Sequence, residues 1–578
     1  CVNLLRHPAW GRAQETYGED AYHLGEMGAA FAEGLQTHNV IATVKHYALN
    51  SIENARFKVD VLCDPRPLRE IYLPHFKRIL DAGCASVMSS YNKVNGEFAG
   101  QSRALLTDIL RGDWGFDGFV HSDWVFGVRS VFGAAAGLDI ENPEPLVFGE
   151  KLVKAVQDGA VGIETIDTAC RRILTTQYRF ACAEDPLPAY SEDMVASPAA
   201  RALAQEAAEK SAVLLENDGV LPLKPGKIGK LAVLGRLASM PNTGDFGSSR
   251  VRARHVITPL EGLTALLGEA AILTGDESDL ALAAAAAAAA DAVVVVVGTT
   301  ADEEGEYIPG DIALGQDASA SDREAADKQN ELTGQRSRGG DRDHLGLPAA
   351  QIALIEAAAA GGKPVIVVLQ SGSAILTEGW RDKVSAILQT FYAGQEGGTA
   401  LARLLSGVVS PSGKLPFTVA KDPAHYPFFD KDADAIRYDL WHGYAKFERE
   451  GVAPRYAFGH GRSYGRFAYR ALKVRKAGDH LQVSVAVTNQ GDVAADEVVF
   501  VFVAPPGKAV ERHPKSLRAF GRLSLAPGET KTLRRTIPLA DLGWWNEAAH
   551  AFVLEPGVHR VLAGGSSAGP LLEATVGL

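Results

Sequence analysis

The chain holds 578 residues, with 58 Lys and Arg against 70 Asp and Glu for a formal charge of −12. That length gives a prior of about four domains, and 46% hydrophobic with 22% charged residues suits a globular chain with sizeable buried cores. The acidic balance argues against nonspecific nucleic-acid binding; the five cysteines make no disulfide framework and no metal-ligand spacing, leaving room for one disulfide; and the nearest approach to a membrane span, 280–297, is broken by Asp291.

The chain opens on Cys1, with no charged segment leading into an apolar signal core. Its first 180 residues alternate short apolar runs with longer amphipathic stretches. Strands are expected in 1–5, 39–47, 84–91, 116–124 and 135–143, and helices over 67–83, 102–115, 147–158 and 163–178. These make five βα-type units, a pattern of parallel strands with crossover helices. A closed eight-stranded barrel needs roughly 200 residues or more, so about three units are expected to lie upstream, and an open doubly wound sheet is the alternative. The Pro-, Ser- and acid-rich stretch 183–198 punctuates the chain as a linker.

A second α/β block follows. A helix is expected through "ALAQEAAEKSAVLLEND" (202–218), with buried strands in "KLAVLG", "AVVVVVG", "PVIVVLQSG" and "VSAILQTF". The polar stretch 301–345 between two of those strands is too long for a plain connection in a compact domain and points to function or disorder. After a second expected linker, 421–466, the last 110 residues alternate with period two around turns such as Asn489-Gln490-Gly491-Asp492, the pattern of a β-sandwich. The expected boundaries are 1–182 for the β/α unit, 199–420 for the α/β unit and 467–578 for the sandwich.

The polar residues of the first block cluster at strand ends. Within those stretches Lys45 and His46 end the apolar strand 40–44, Tyr91 ends 85–90 and Asp123 ends 117–122, and positions just past parallel strands converge on one face of a barrel. Asp123 followed by Trp124 suits a sugar site, where an aromatic face packs on the ring while a carboxylate approaches the anomeric carbon.

The chain resembles the β-glucosidases of glycoside hydrolase family 3 over nearly its whole length. The motifs are "NLLRHPAWGRAQETYGED" (3–20), "IATVKHYALN" (41–50), "SVMSSYNKVNG" (86–96), "LLTDILRGDWGFDGFVHSDW" (105–124), "SAVLLENDGVLPL" (211–223), "NTGDFGSSRV" (242–251), "FYAGQEGGTALARLLSGVVSPSGKLPFT" (391–418) and "YAFGHGRSY" (456–464). The resemblance implies a TIM-like β/α barrel (incomplete here), an α/β sandwich and a fibronectin type III-like domain. It also implies hydrolysis of terminal β-D-glucosyl residues with retention, without metal or organic cofactor. Asp123 matches the family's nucleophile; Arg12, Lys45, His46, Arg56, Met88, Tyr91 and Trp124 match positions lining its glucosyl subsite. The family's acid/base glutamate lies in a pattern resembling Glu-Gly-Glu, an aromatic, then Asp-Arg. "DEEGEYIPGD" (302–311) offers Glu303, Glu304 and Glu306, and Glu306 fits as the residue before Tyr307, with Asp341-Arg342 reached only after an inserted stretch. A sugar-binding aspartate of the family falls upstream of Cys1.

The partners implied are β-linked oligosaccharides or glucosides, with a periplasmic or extracellular location and an open oligomeric state. A β-xylosidase or other exo-glycosidase of the family is the nearest alternative, although Trp124 favours a glucosidase over relatives with Cys there. A catalytically impaired carbohydrate-binding fragment is the non-enzymatic one. An N-acetylglucosaminidase is disfavoured, because "KHYALNSIENARF" has no Gly-His-Gly loop. Asp245 and Ser248 are as compatible with a plain turn as with a site border. Cys63 and Cys84 are expected to be buried thiols, and His121 is given no catalytic role.

Overall fold

A computed structural model of the chain describes residues 1–187, 189–244, 247–307, 320, 323–324, 327–328 and 339–578. In the first unit, strands β1 (Thr43–Tyr47), β2 (Ser86–Ser89), β3 (Phe119–Trp124) and β4 (Ile140–Asn142) form a parallel sheet in chain order. That order lacks the reversal of a doubly wound sheet and is the connectivity of a β/α-barrel arc. Val44, Val87 and Val120 stand in register on one face and pack beneath Leu24, Phe76, Ile79, Leu106 and Leu110 of the covering helices. Thr43, Met88 and His121 take the opposite face, where His121 Nε2 lies 3.4 Å from Thr43 Oγ1, and Asp123 continues it. The helix expected over 67–83 is interrupted at Leu73, where Pro74 starts a fresh helix, Pro74–Asp81, because proline has no N–H to continue the preceding ladder.

The stretch 421–466, expected to be a linker, instead folds onto the first unit. Ala435–Tyr438 pairs in parallel with Asp60–Cys63, and Ala433, Ile436 and Tyr438 join the first unit's core. Ile436 and Tyr438 face in while Ala435 and Arg437 face out, a short strand pattern hidden in a polar surround. Gly443–Glu450 then forms a helix.

The second unit is a six-stranded sheet of β5 (Val213–Asn217), β6 (Leu231–Leu234), β7 (Ile272–Gly275), β8 (Ala292–Gly298), β9 (Val365–Gln370) and β10 (Ala386–Gln389). Its order is β7-β6-β8-β9-β10-β5, parallel except for β5 against β10. The helix expected through Asp218 stops at Ser211, and the run Val213-Leu214-Leu215 becomes the edge strand, buried on both faces. A short apolar run at a helix end carries no periodicity to separate the two outcomes. The chain leaves β6 for β7 on one side and returns to β8 on the other, so the loops after β6 and β8 diverge at the switch point of the sheet, where open α/β sheets bind ligands.

The third unit packs β11 (Phe467–Ala477), β12 (His480–Asn489) and β15 (Thr530–Pro538) against β13 (Ala495–Ala504), β14 (Ser516–Leu525), β16 (Val558–Gly564) and β17 (Leu572–Gly577). Leu481, Val483, Val485 and Val487 of β12 meet Val499, Val501 and Val503 of β13 in its core, the expected alternation. All five cysteines are free, with Cys63 and Cys84 buried. Among the described residues no helix is long and apolar enough to cross a membrane.

Candidate active site

Asp123 is the next-to-last residue of β3 and is 6% exposed. Its Oδ1 accepts the Trp124 N–H at 2.8 Å, while no hydrogen bond among the described residues holds Oδ2. One oxygen is therefore fixed by the backbone, and the other faces His46. The Tyr91 hydroxyl donates to Trp124 O at 2.7 Å and borders the same carboxylate. Burial raises the Asp123 carboxyl, with Arg56, Arg12 and Lys45 pulling the other way. Trp124 is 53% exposed, leaving its indole free to cover a ring.

His46 lies with Nε2 3.6 Å from Asp123 Oδ2. That Nε2 faces Arg12 Nη1 at 3.3 Å, whereas Nδ1 faces Asn3 Oδ1 at 3.1 Å, so the partners place the proton on Nδ1. Burial, then Arg12 and Lys45, hold the imidazole well below its usual range, and the neutral ring forms no ion pair with Asp123. Asn3 fixes this turn, accepting from His46 N–H at 2.9 Å and donating to His46 O at 2.8 Å.

Two buried arginines carry the positive charge. Arg12 forks onto Glu15 at 2.7 and 2.8 Å. Arg56 Nη1 lies 2.7 Å from Glu53 Oε1, and its guanidinium stacks over Phe57 and Tyr91. Burial pushes Glu53 up to about 8, against the pull of Arg56 and Arg12. Lys45 lies on β1 and Met88 on β2, whose Cα partner on β3 is His121.

The three glutamates of the second unit separate cleanly. Glu303 turns back on its own loop, accepting from Thr300 N–H and Oγ1 at 2.8 and 2.5 Å. Glu304 is buried within its own unit, accepting from Thr299 Oγ1, Gly372 N–H and the Tyr392 hydroxyl at 2.8, 2.5 and 2.5 Å. Glu306 crosses to the first unit. Its Oε1 lies 3.1 Å from Arg56 Nη1 and 3.5 Å from Arg12 Nη1, and its Oε2 accepts the Ser248 N–H at 2.5 Å. Burial acts to raise this carboxyl, but Arg12 first, then Arg56 and Ser248, hold it well below the usual range. Ser248 and Glu306 come from the two loops that diverge at the switch point; Asp245 lies outside the described residues.

The site thus brings together Arg12, His46, Arg56, Tyr91, Asp123 and Glu306, with Lys45 close enough to act on Asp123 electrostatically. Sequence reading missed Asn3, Glu15 and Glu53. The two glutamates had a local signal, since each stands three residues from the arginine it pairs with; Asn3 had none.

The comparisons identify the family of each unit. The Glycosyl hydrolase family 3 N terminal domain matches residues 1–176, the Glycosyl hydrolase family 3 C-terminal domain residues 212–464, and the fibronectin type III-like domain residues 497–567. The chain is 34% identical to the thermostable beta-glucosidase B of Acetivibrio thermocellus over 100% of its own length and 74% of the relative's. It is 36% identical to an exo-alpha-(1->6)-L-arabinopyranosidase of Bifidobacterium longum over 98% of its length and 73% of the relative's. It superposes on the beta-D-glucoside glucohydrolase of Trichoderma reesei with TM-score 0.88 at 28% identity, covering 99% of this chain and 83% of that one. A unit of parallel strands, a second α/β unit and a β-sandwich, each matching its family domain, define a multidomain glycoside hydrolase. The chain belongs to glycosyl hydrolase family 3.

Proposed function

We propose that the chain removes terminal non-reducing β-D-glucosyl residues from β-glucosides by double displacement, with Asp123 as nucleophile and Glu306 as acid/base. The observation that carries this reading is that Glu306, from the second unit, lies 3.1 Å from Arg56 and 3.5 Å from Arg12, while Arg12 lies 3.3 Å from the His46 Nε2 that stands 3.6 Å from Asp123 Oδ2. In the first step an Asp123 oxygen bonds to the anomeric carbon, the glycosidic C–O bond breaks, and the Glu306 proton passes to the departing oxygen. In the second, Glu306 takes a proton from water, the water oxygen bonds to the anomeric carbon, and Asp123 is released.

The resting contacts explain how one carboxylate serves both steps. Without a sugar, Glu306 is ionised against Arg12 and Arg56. Sugar hydroxyls that accept from those guanidiniums compete with it, and a buried carboxyl losing cationic partners takes up a proton more readily. Arg12, Lys45, His46, Arg56 and Tyr91 supply polar contacts for the hydroxyls, while Met88 and Trp124 supply apolar ones.

A second reading is favoured by the Bifidobacterium relative, named for a pentopyranose rather than a glucose. One experiment separates them: NMR of the first-formed sugar anomer, with kcat/KM for 4-nitrophenyl β-D-glucopyranoside, β-D-xylopyranoside and α-L-arabinopyranoside. Initial release of β-glucose and the highest kcat/KM on the glucoside support the main reading. A pentoside preference moves the specificity, and release of the inverted anomer removes the mechanism.

A further inference from the structure

Two carboxylates on different units must keep a fixed separation across one sugar ring, and Asp341 is one of the side chains that cross the seam beside them. Asp341 belongs to the second unit and is 5% exposed. Its Oδ1 accepts the N–H of Gly11 at 2.9 Å, and its Oδ2 accepts those of Glu53 and Asn54 at 2.8 and 2.9 Å. All three donors belong to the first unit. Its own N–H donates to Asn54 Oδ1 at 2.8 Å, and the next residue, Arg342, donates its N–H to Ala9 O at 2.8 Å.

These donors are not arbitrary points on the first unit. Gly11 directly precedes Arg12, and Glu53 is the carboxylate that holds Arg56, so Asp341 grips the backbone beside both arginines that meet Glu306. The other end of the clasp reaches Glu306 itself. Gly340, the residue before Asp341, donates to Gly305 O at 3.0 Å, and Gly305 directly precedes Glu306. The approach is close: a Cβ on Gly11 would stand 2.2 Å from Gly340 O and 2.5 Å from Gly305 O, so only glycine fits there. The Arg342 guanidinium ties the clasp to the body of the second unit, donating to Ser373 Oγ at 3.2 Å and to Ala374 O at 2.9 Å.

We propose that Asp341 is a positioning residue that sets the register between the two halves of the active site, holding Glu306 at a fixed place relative to Asp123. The proposal rests on the reading of Asp123 and Glu306 as the reacting pair. A residue that only glued the units together would, when lost, depress every substrate alike. A residue that aims the acid matters in the glycosylation step in proportion to how much the leaving group needs a proton.

The test is kcat/KM for phenyl β-D-glucopyranoside, a poor leaving group, and for 2,4-dinitrophenyl β-D-glucopyranoside, a good one, in wild type, Asp341→Asn and Asn54→Ala. Asparagine keeps the shape but offers one acceptor oxygen, and turns an NH2 toward backbone donors. The expected result for Asp341→Asn is a loss on the order of 100-fold on the phenyl glucoside, the cost of misplacing a catalytic group by about 1 Å, with the dinitrophenyl glucoside nearly unchanged. Asn54→Ala, which removes the reciprocal bond, should give the same pattern at smaller amplitude, and it decides the matter if Asp341→Asn does not fold. Equal losses on both substrates, or no loss on either, would overturn the proposal. Glu306→Ala read in parallel separates the two claims: if it fails to discriminate between the leaving groups, the acid/base assignment falls, whatever Asp341→Asn does.

Discussion

Arg56→Met removes the cation that Glu53 and Glu306 share. Arg56 Nη1 lies 2.7 Å from Glu53 and 3.1 Å from Glu306, and Nη2 donates to Tyr307 O at 2.9 Å. Glu53 is fully buried and its carboxyl stands near 8 even beside Arg56. At pH 6 that group already carries its proton, and the variant loses hydrogen bonds worth about 1–3 kcal/mol. Above about pH 8 the wild-type Glu53 is ionised and paired, whereas the variant must keep it protonated, which adds about 1.4 kcal/mol for each pH unit above 8. For units of this size about 1 kcal/mol moves Tm by roughly 2–4 °C. Thermal unfolding followed by circular dichroism should therefore show a drop of roughly 2–12 °C at pH 6 and a further drop of about 3–6 °C at pH 9. Adding Glu53→Gln should cancel the pH-dependent part between about pH 6 and 9, since the group that titrates there is gone. A drop independent of pH, or a double variant as pH-sensitive as Arg56→Met alone, would refute the reasoning.

Glu306→Ala should retain formation of the glycosyl-enzyme from 2,4-dinitrophenyl β-D-glucopyranoside but turn over slowly, and added azide should restore turnover with β-glucosyl azide as product; no azide effect would argue against its role as base. Glu19 joins the first unit to the rest: its carboxylate accepts from Thr418 N–H and Oγ1 and from Tyr444 N–H at 2.8, 2.7 and 2.8 Å, and burial pushes it up to about 7. A folded value above the unfolded one contributes stability below the unfolded range, near 4.3, that is lost as pH rises through the folded value. Tm should therefore fall between about pH 4.5 and 7, and Glu19→Gln should flatten that slope; an unchanged slope would count against the assignment.

Much of the site was legible because its residues stand at strand ends. Asp123 stands at the end of an apolar strand and is followed by an indole, while Lys45 and His46 lie within β1 and Tyr91 two residues past β2. Glu306 was chosen over Glu303 and Glu304 because it precedes Tyr307 and follows the Glu304-Gly305 pair; in the structure Glu303 and Glu304 accept hydrogen bonds from their own unit, whereas Glu306 meets Arg56 of the first. What escaped is long-range. Nothing near Asp341 announces that its oxygens meet Gly11 and Glu53, 330 and 288 residues away. Short elements escaped for another reason. Val213–Asn217 and Ala435–Tyr438 are too brief to show a period, and the sheets they join decide their conformation.

The claim on which the rest depends is that Asp123 bonds to the anomeric carbon. Incubation with 2,4-dinitrophenyl 2-deoxy-2-fluoro-β-D-glucopyranoside slows hydrolysis of the covalent intermediate, and digestion with mass spectrometry of the labelled peptide names the residue. The account predicts a single fluoroglucosyl label on Asp123, absent in Asp123→Asn. A label on any other residue, or none from a form that hydrolyses the parent glucoside, would contradict it.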